Sequence, residues 1–140
     1  MKTRRVVSTV VGGVLLPTFV ILATAACRVE AERFDTAPQR VGEYEVSLQL
    51  DPNPPKSGRE TQILVTVTRG GEPVEATEVE PHLMVDMPEM PMGHPEVSLS
   101  AEGSGRWRGS VTFPMPGDWA ATVMLMPEGS AARFQFEVGP

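Results

Sequence analysis

From residue 43 to the C-terminus, apolar side chains fall on every second position of short runs, and clusters of proline or glycine close most of those runs. A period of two puts alternate side chains on opposite faces of an extended chain, so each run reads as a strand with one buried face. Tyr44, Val46, Leu48 and Leu50 mark strand A, which the Asp51-Pro-Asn-Pro-Pro-Lys-Ser-Gly58 segment breaks. Ile63, Val65 and Val67 mark strand B, which ends at Gly70-Gly71. Strand C, over about 78–86, carries Val79, Leu83 and Val85, and strand D, over 96–101, carries Val97 and Leu99. Glu102-Gly103-Ser104-Gly105 turns into strand E with Trp107, Val111 and Phe113. Pro114-Met115-Pro116-Gly117 leads to strand F with Trp119, Ala121, Val123 and Leu125, and Glu128-Gly129-Ser130 leads to strand G with Phe134, Phe136 and Val138. About seven short strands of this kind predict an all-β fold, an antiparallel β-sandwich of immunoglobulin-like type. The single cysteine allows no internal disulfide, so the core must hold by packing alone.

The N-terminal segment has a different character. Lys2, Arg4 and Arg5 precede the uncharged stretch Val6–Ala26, and Thr24-Ala25-Ala26 puts small residues directly before Cys27. This pattern is that of an export signal over residues 1–26. Three endings are open: ordinary cleavage near Ala23-Thr24-Ala25, retention as a membrane anchor, and lipid attachment at Cys27. A lone cysteine directly after small residues favours the lipoprotein ending. Arg4-Arg5 also touches on twin-arginine export, which Val6-Val7-Ser8 fits poorly. Residues 27–42 lack periodicity and read as a tether, leaving 43–140 as the folded domain. The expected location is extracytoplasmic, with the chain held to a membrane by lipid or uncleaved anchor. Without the signal the chain has 9 basic and 18 acidic residues, which disfavours nucleic acid as a partner.

One segment departs from the alternation, namely His82-Leu-Met-Val-Asp-Met-Pro-Glu-Met-Pro-Met-Gly-His94. Of the eight methionines, Met84, Met87, Met90 and Met92 fall within nine residues, and both histidines of the chain bracket them. Met87, Met90 and Met92 are interleaved with Pro88, Pro91 and Gly93, which makes the stretch a loop, where an exposed thioether gains nothing from packing. The plain account is that one or two of these side chains plug the sandwich edge. The functional account is a copper site, because thioether sulfur with imidazole suits cuprous ion. Zinc would require Cys or His ligands that the chain lacks.

Alternating strand directions would put the A-B, C-D and E-F connections at one end. Met115, in the E-F connection, would then face the Met87–Pro95 loop across the rim, with His94 as the preferred nitrogen ligand. His82 has the parity of Met84, opposite to Leu83 and Val85, and points outward below the rim. With Met124 on the outward face of strand F, His82 and Met84 form a less favoured second metal site, set against a surface histidine beside ordinary methionines. Met126 shares that outward parity.

The order Met90-Pro-Met92-Gly-His94, Gly105-Arg-Trp107-Arg-Gly109 and Phe113-Pro-Met115-Pro-Gly117-Asp-Trp119 resembles the YtkA-like domain, related to the FixH proteins of oxidase assembly. The resemblance spans about residues 43–140. It implies an exported or membrane-anchored immunoglobulin-like module that handles copper, and it marks Met90, Met92, His94 and Met115 as candidate ligands. Glu89 and Pro95 depart from the family pattern within the loop.

Nothing points to an enzyme. There is no Gly-x-Ser-x-Gly elbow and no phosphate loop, and the paired acids Glu78 and Glu80 solvate an outward face. Two classes of function are carried forward. One is a cuprous-ion module for oxidase assembly or copper homeostasis, serving a copper-receiving envelope protein. The other is a metal-free adhesion or assembly module whose methionine rim docks another protein.

Overall fold

Each predicted run is a strand because its apolar parity finds a facing sheet to bury against. The computed structural model describes residues 37–90 and 93–140. The export signal, Cys27 and most of the tether lie outside the described residues, as do Pro91 and Met92. The strands are β1 (Gln39–Val41), β2 (Tyr44–Asp51), β3 (Glu60–Arg69), β4 (Glu72–Pro73), β5 (Glu80–Asp86), β6 (Glu96–Val97), β7 (Ser100–Gly103), β8 (Arg106–Thr112), β9 (Gly117–Met126) and β10 (Ser130–Val138). They form two antiparallel sheets, one ordered β1-β2-β3-β8-β7 with β4 beside β3, the other β10-β9-β5-β6. This is the expected sandwich, with no helix among the described residues.

Three local features differ from the sequence expectation. Residues 39–41, assigned to the tether, pair with β2 as a short edge strand. Glu72–Pro73 adds a two-residue strand beside β3. Strand D divides: Val97 pairs with Leu83 in one sheet, whereas Ala101 pairs with Trp107 in the other. The crossing at Ser98-Leu99 passes directly over Gly109 of β8, where an added Cβ would stand 2.6 Å from the Ser98 carbonyl oxygen. A side chain at 109 would close the passage between the sheets.

Ile63, Val65, Leu83, Val123, Phe134 and Trp107 are among the residues buried between the sheets. Near one end Phe113 contacts Trp119 edge-on with centroids 5.0 Å apart, and Phe136 at 5.5 Å. Val111, expected inward with them, is only half-buried because it lines a cavity at that end. One buried polar atom stands out: Thr61 Oγ1, opposite Val111, has no hydrogen-bond partner among the described residues.

The strand registers settle the ends. Glu60 pairs with Thr112 and Asp86 with Ala120, so residues 52–59, 87–95 and 113–116 share one rim. The C-terminus is laced to the same rim, with Ser57 N donating to Gly139 O and Gly139 N to Pro55 O, both at 2.8 Å. Gly58 N donates to Phe113 O, also at 2.8 Å. Along the β10 edge the Gln39 side chain makes a reciprocal pair with the Arg133 backbone, donating through Nε2 to the carbonyl and accepting from the amide.

Two stability measurements follow. Thr61→Val keeps the shape and removes an unpaired buried hydroxyl, so chemical denaturation should show a gain of about 1 kcal/mol. Gly109→Ala should cost about 1–3 kcal/mol through overpacking of the crossing strand, read as a lower midpoint in the same assay.

Candidate metal centre

The loop leaving β5 is built from turn residues, and its first side chain folds back onto the core. Met87 is half-buried and packs on the core cluster. Its Cε lies 3.0 Å from where a Cβ on Gly117 would stand. Gly117 has φ +135, a backbone conformation that favours glycine, so this one residue both makes the turn and leaves a seat for the methionine. A tight turn over Pro88-Glu89, with Met90 N donating to Met87 O at 3.1 Å, lifts Met90 into solvent, where it is 52% exposed. The loop closes where Val85 N donates to Pro95 O at 3.2 Å. His94 lies on the exposed return arm.

Across the rim, Met115 is half-buried in the E-F connection and packs on the same core cluster. Its carbonyl accepts a hydrogen bond from the Trp119 indole Nε1 at 3.2 Å, which ties the Pro114–Gly117 turn to a buried ring. Between the two connections lies an apolar cavity of about 190 Å³, lined by Val85, Met87, Gly93, Pro95, Phe113 and Trp119 among others. The rim is acidic. Glu89 and Asp118 are exposed there, while Asp86 meets Arg133 at 3.5 Å.

The structure therefore brings Met87, Met90, His94 and Met115 to one rim, while Met92 lies outside the described residues. It places His82, Met84 and Met124 on the outer face of the β5-β9 pair, with His82 directly opposite Met124. Among the described residues no three His, Cys, Asp or Glu side chains converge as metal ligands. An ion at the rim would draw on thioether sulfur, and that donor set fits a soft monovalent cation better than a hard one.

Sequence reasoning missed the Gly117 seat, the indole clamp on Met115, and Glu96, which meets His82 Nδ1 at 2.8 Å. The outward parity of Glu96 was legible, but its register against β5 was not. The resolved pKa shifts belong to the frame. Hydrogen bonding to Arg108 holds the Glu102 carboxyl below its ordinary range. Burial first, and then Glu128, raise the Tyr44 phenol.

The sequence matches the YtkA-like family over residues 39–124. The chain belongs to the YtkA-like family. The match begins where β1 begins and includes every methionine and histidine of the rim, together with the outer-face residues through Met124. No curated protein matches the chain. Similar solved structures include a DUF4426 family protein from Pseudomonas aeruginosa PAO1, at 16% identity and TM-score 0.49, covering 74% of this chain and 96% of that one. A superoxide reductase (neelaredoxin) from Ignicoccus hospitalis is similar at 17% identity and TM-score 0.41, covering 65% and 78%.

In this YtkA-like chain the methionine seat is open to direct test. Gly117→Ala should destabilise by about 1 kcal/mol or more through the positive φ and the occupied seat. In a Met87→Ala background the cost should fall, and a double-mutant cycle by denaturant melts reads the difference.

Proposed function

We propose that the chain is an exported, membrane-anchored copper-binding module that holds cuprous ion at the methionine rim. The observation that carries this reading is the meeting of two separate connections, 87–95 and 113–116, at one rim, where Met87 lines an apolar cavity between them and Met115, from the second connection, packs on the same core cluster. Thioether and imidazole donors match cuprous ion, and unlike thiolates they survive in an oxidising compartment. Met87 and Met115, partly buried on the core, set the base of the site, while Met90, Met92 and His94 complete it from the loop.

The half-open position of the loop suits delivery. Met90 and His94 face solvent, where a receiving envelope protein with its own soft ligands can displace them one at a time. The role is binding and transfer, with no bond made or broken in a substrate, and oxidase assembly or copper homeostasis is the process served. Family membership supports this assignment, as does the soft donor set. Attachment to the membrane is through lipid on Cys27 or through the uncleaved N-terminal segment.

Competition against a cuprous chelator, on the full-length chain purified in detergent, tests the rim. Met115→Leu keeps volume and apolarity but deletes one thioether, and cuprous affinity at this site should drop about tenfold or more. His94→Ala should weaken it similarly, with thermal melts of the metal-free variants close to that of the parent. Unchanged affinity in both variants would take the ion away from the rim, and a parent chain that binds no cuprous ion would leave the metal-free docking role as the better reading.

A further inference from the structure

The methionines after Met1 divide without remainder. Met87, Met90, Met92 and Met115 belong to the rim connections, and the other three, Met84, Met124 and Met126, all lie on the outer face of β5 and β9. Each group has one of the chain's two histidines. On the outer face His82 stands at the centre: Met84 is the next outward residue on its own strand, and Met124 is its direct cross-strand partner. Met126, opposite Glu80, is its diagonal neighbour. Direct partners in an antiparallel pair have Cβ atoms about 4.5–5.5 Å apart and diagonal ones about 7–8 Å, distances that long thioether arms span.

The ring of His82 is already oriented. Nδ1 lies 2.8 Å from Glu96 Oε1, so a neutral ring donates its proton there and keeps its lone pair on Nε2. A carboxylate behind a ligating imidazole is the arrangement that fixes tautomer and raises ligand basicity at metal centres. Glu80 Oε1 lies 3.9 Å from Nε2, beyond hydrogen-bond reach, and adds negative charge on the open side. The histidine side chain is 40% exposed and Met126 39%, while Met84 and Met124 are half-buried. Here the donors lie on two paired strands, a more rigid frame than the rim loop.

We propose that the outer face of β5 and β9 is a second, separate site for a soft monovalent cation such as cuprous ion. His82 Nε2 and the thioethers of Met84 and Met124 are its ligands, Met126 flanks it, and Glu96 is the positioning residue. His82 lies four residues from the rim end of β5, or about 13 Å along the strand, so the two sites do not share an ion. This site stands or falls independently of the rim reading.

Silver(I), a redox-inert probe of the same softness, and cuprous ion are titrated into the full-length chain in detergent, and bound ions are counted after equilibrium dialysis. The parent should hold two equivalents. A Met115→Leu/His94→Ala variant should keep one, a His82→Ala/Met124→Leu variant should keep one, and the fourfold variant none. Silver should shift the His82 Nε2 resonance in nitrogen NMR while Nδ1 stays bonded to Glu96. Glu96→Gln should weaken the outer site about tenfold without altering the melt of the metal-free chain.

If the His82→Ala/Met124→Leu variant still binds everything the parent binds, the outer site is refuted, and loss of an ion in the Met115→Leu/His94→Ala variant then upholds the rim alone. If the rim variant loses nothing while the outer-face variant loses its ion, the outer site stands and the rim reading fails. Melts of each metal-free variant close to the parent's assign the losses to missing ligands and not to unfolding.

Discussion

The edge-on contact between Trp119 and Phe113 holds the methionine-bearing rim of the molecule together. Phe113 is the last buried residue before the E-F connection, and Trp119 is the first after it, so the pair pins both feet of a short turn. The indole then spends its one polar group on the carbonyl of Met115 in that turn. Gly117 lies between the two feet and receives the methyl of Met87 from the neighbouring loop. A single aromatic contact thus fixes both feet of the E-F turn, and with them the glycine seat on which the Met87 side chain rests.

The two proposed cation sites use the same donors in different mechanical settings. At the rim the donors ride on a loop that turns at Pro88-Glu89, where Met90 and His94 stand exposed and open to exchange with a partner's ligands. On the sheet face, backbone hydrogen bonds hold every donor, and the imidazole is locked from behind by a carboxylate. Thioethers and neutral imidazole carry no charge, so a bound cation must be balanced by neighbours. Glu89 and Asp118 surround the rim, while Glu80 and Glu96 flank the face.

Strand parity was readable because a two-residue period is a local property, repeated in each run with one face buried. Alternation of strand direction, the second local rule, put Met115 at the same rim as the methionine loop, and the registers agree. What could not be read depends on partners distant in sequence. Strand D divides because Gly109, on another strand, gives it a gap to pass through, and nothing in residues 96–101 announces that. Glu96 becomes the partner of His82 only through the β5-β6 register, which two residue pairs define. β1 and β4 are too short to show any period. Glycine at an inward position of strand E was the signal available, because an alternating core position without a side chain implies that another chain segment occupies the space.

The reciprocal amide pairing of Gln39 with Arg133 has a consequence for how such chains behave when crowded. β10 is a nine-residue edge, long enough to template a foreign strand. A glutamine amide imitates the peptide group it satisfies, so it fills the donor and the acceptor that an incoming strand would need at the same position. An incoming strand thus finds neither donor nor acceptor free at Arg133, near the middle of that edge, which blunts it as a template for pairing between copies.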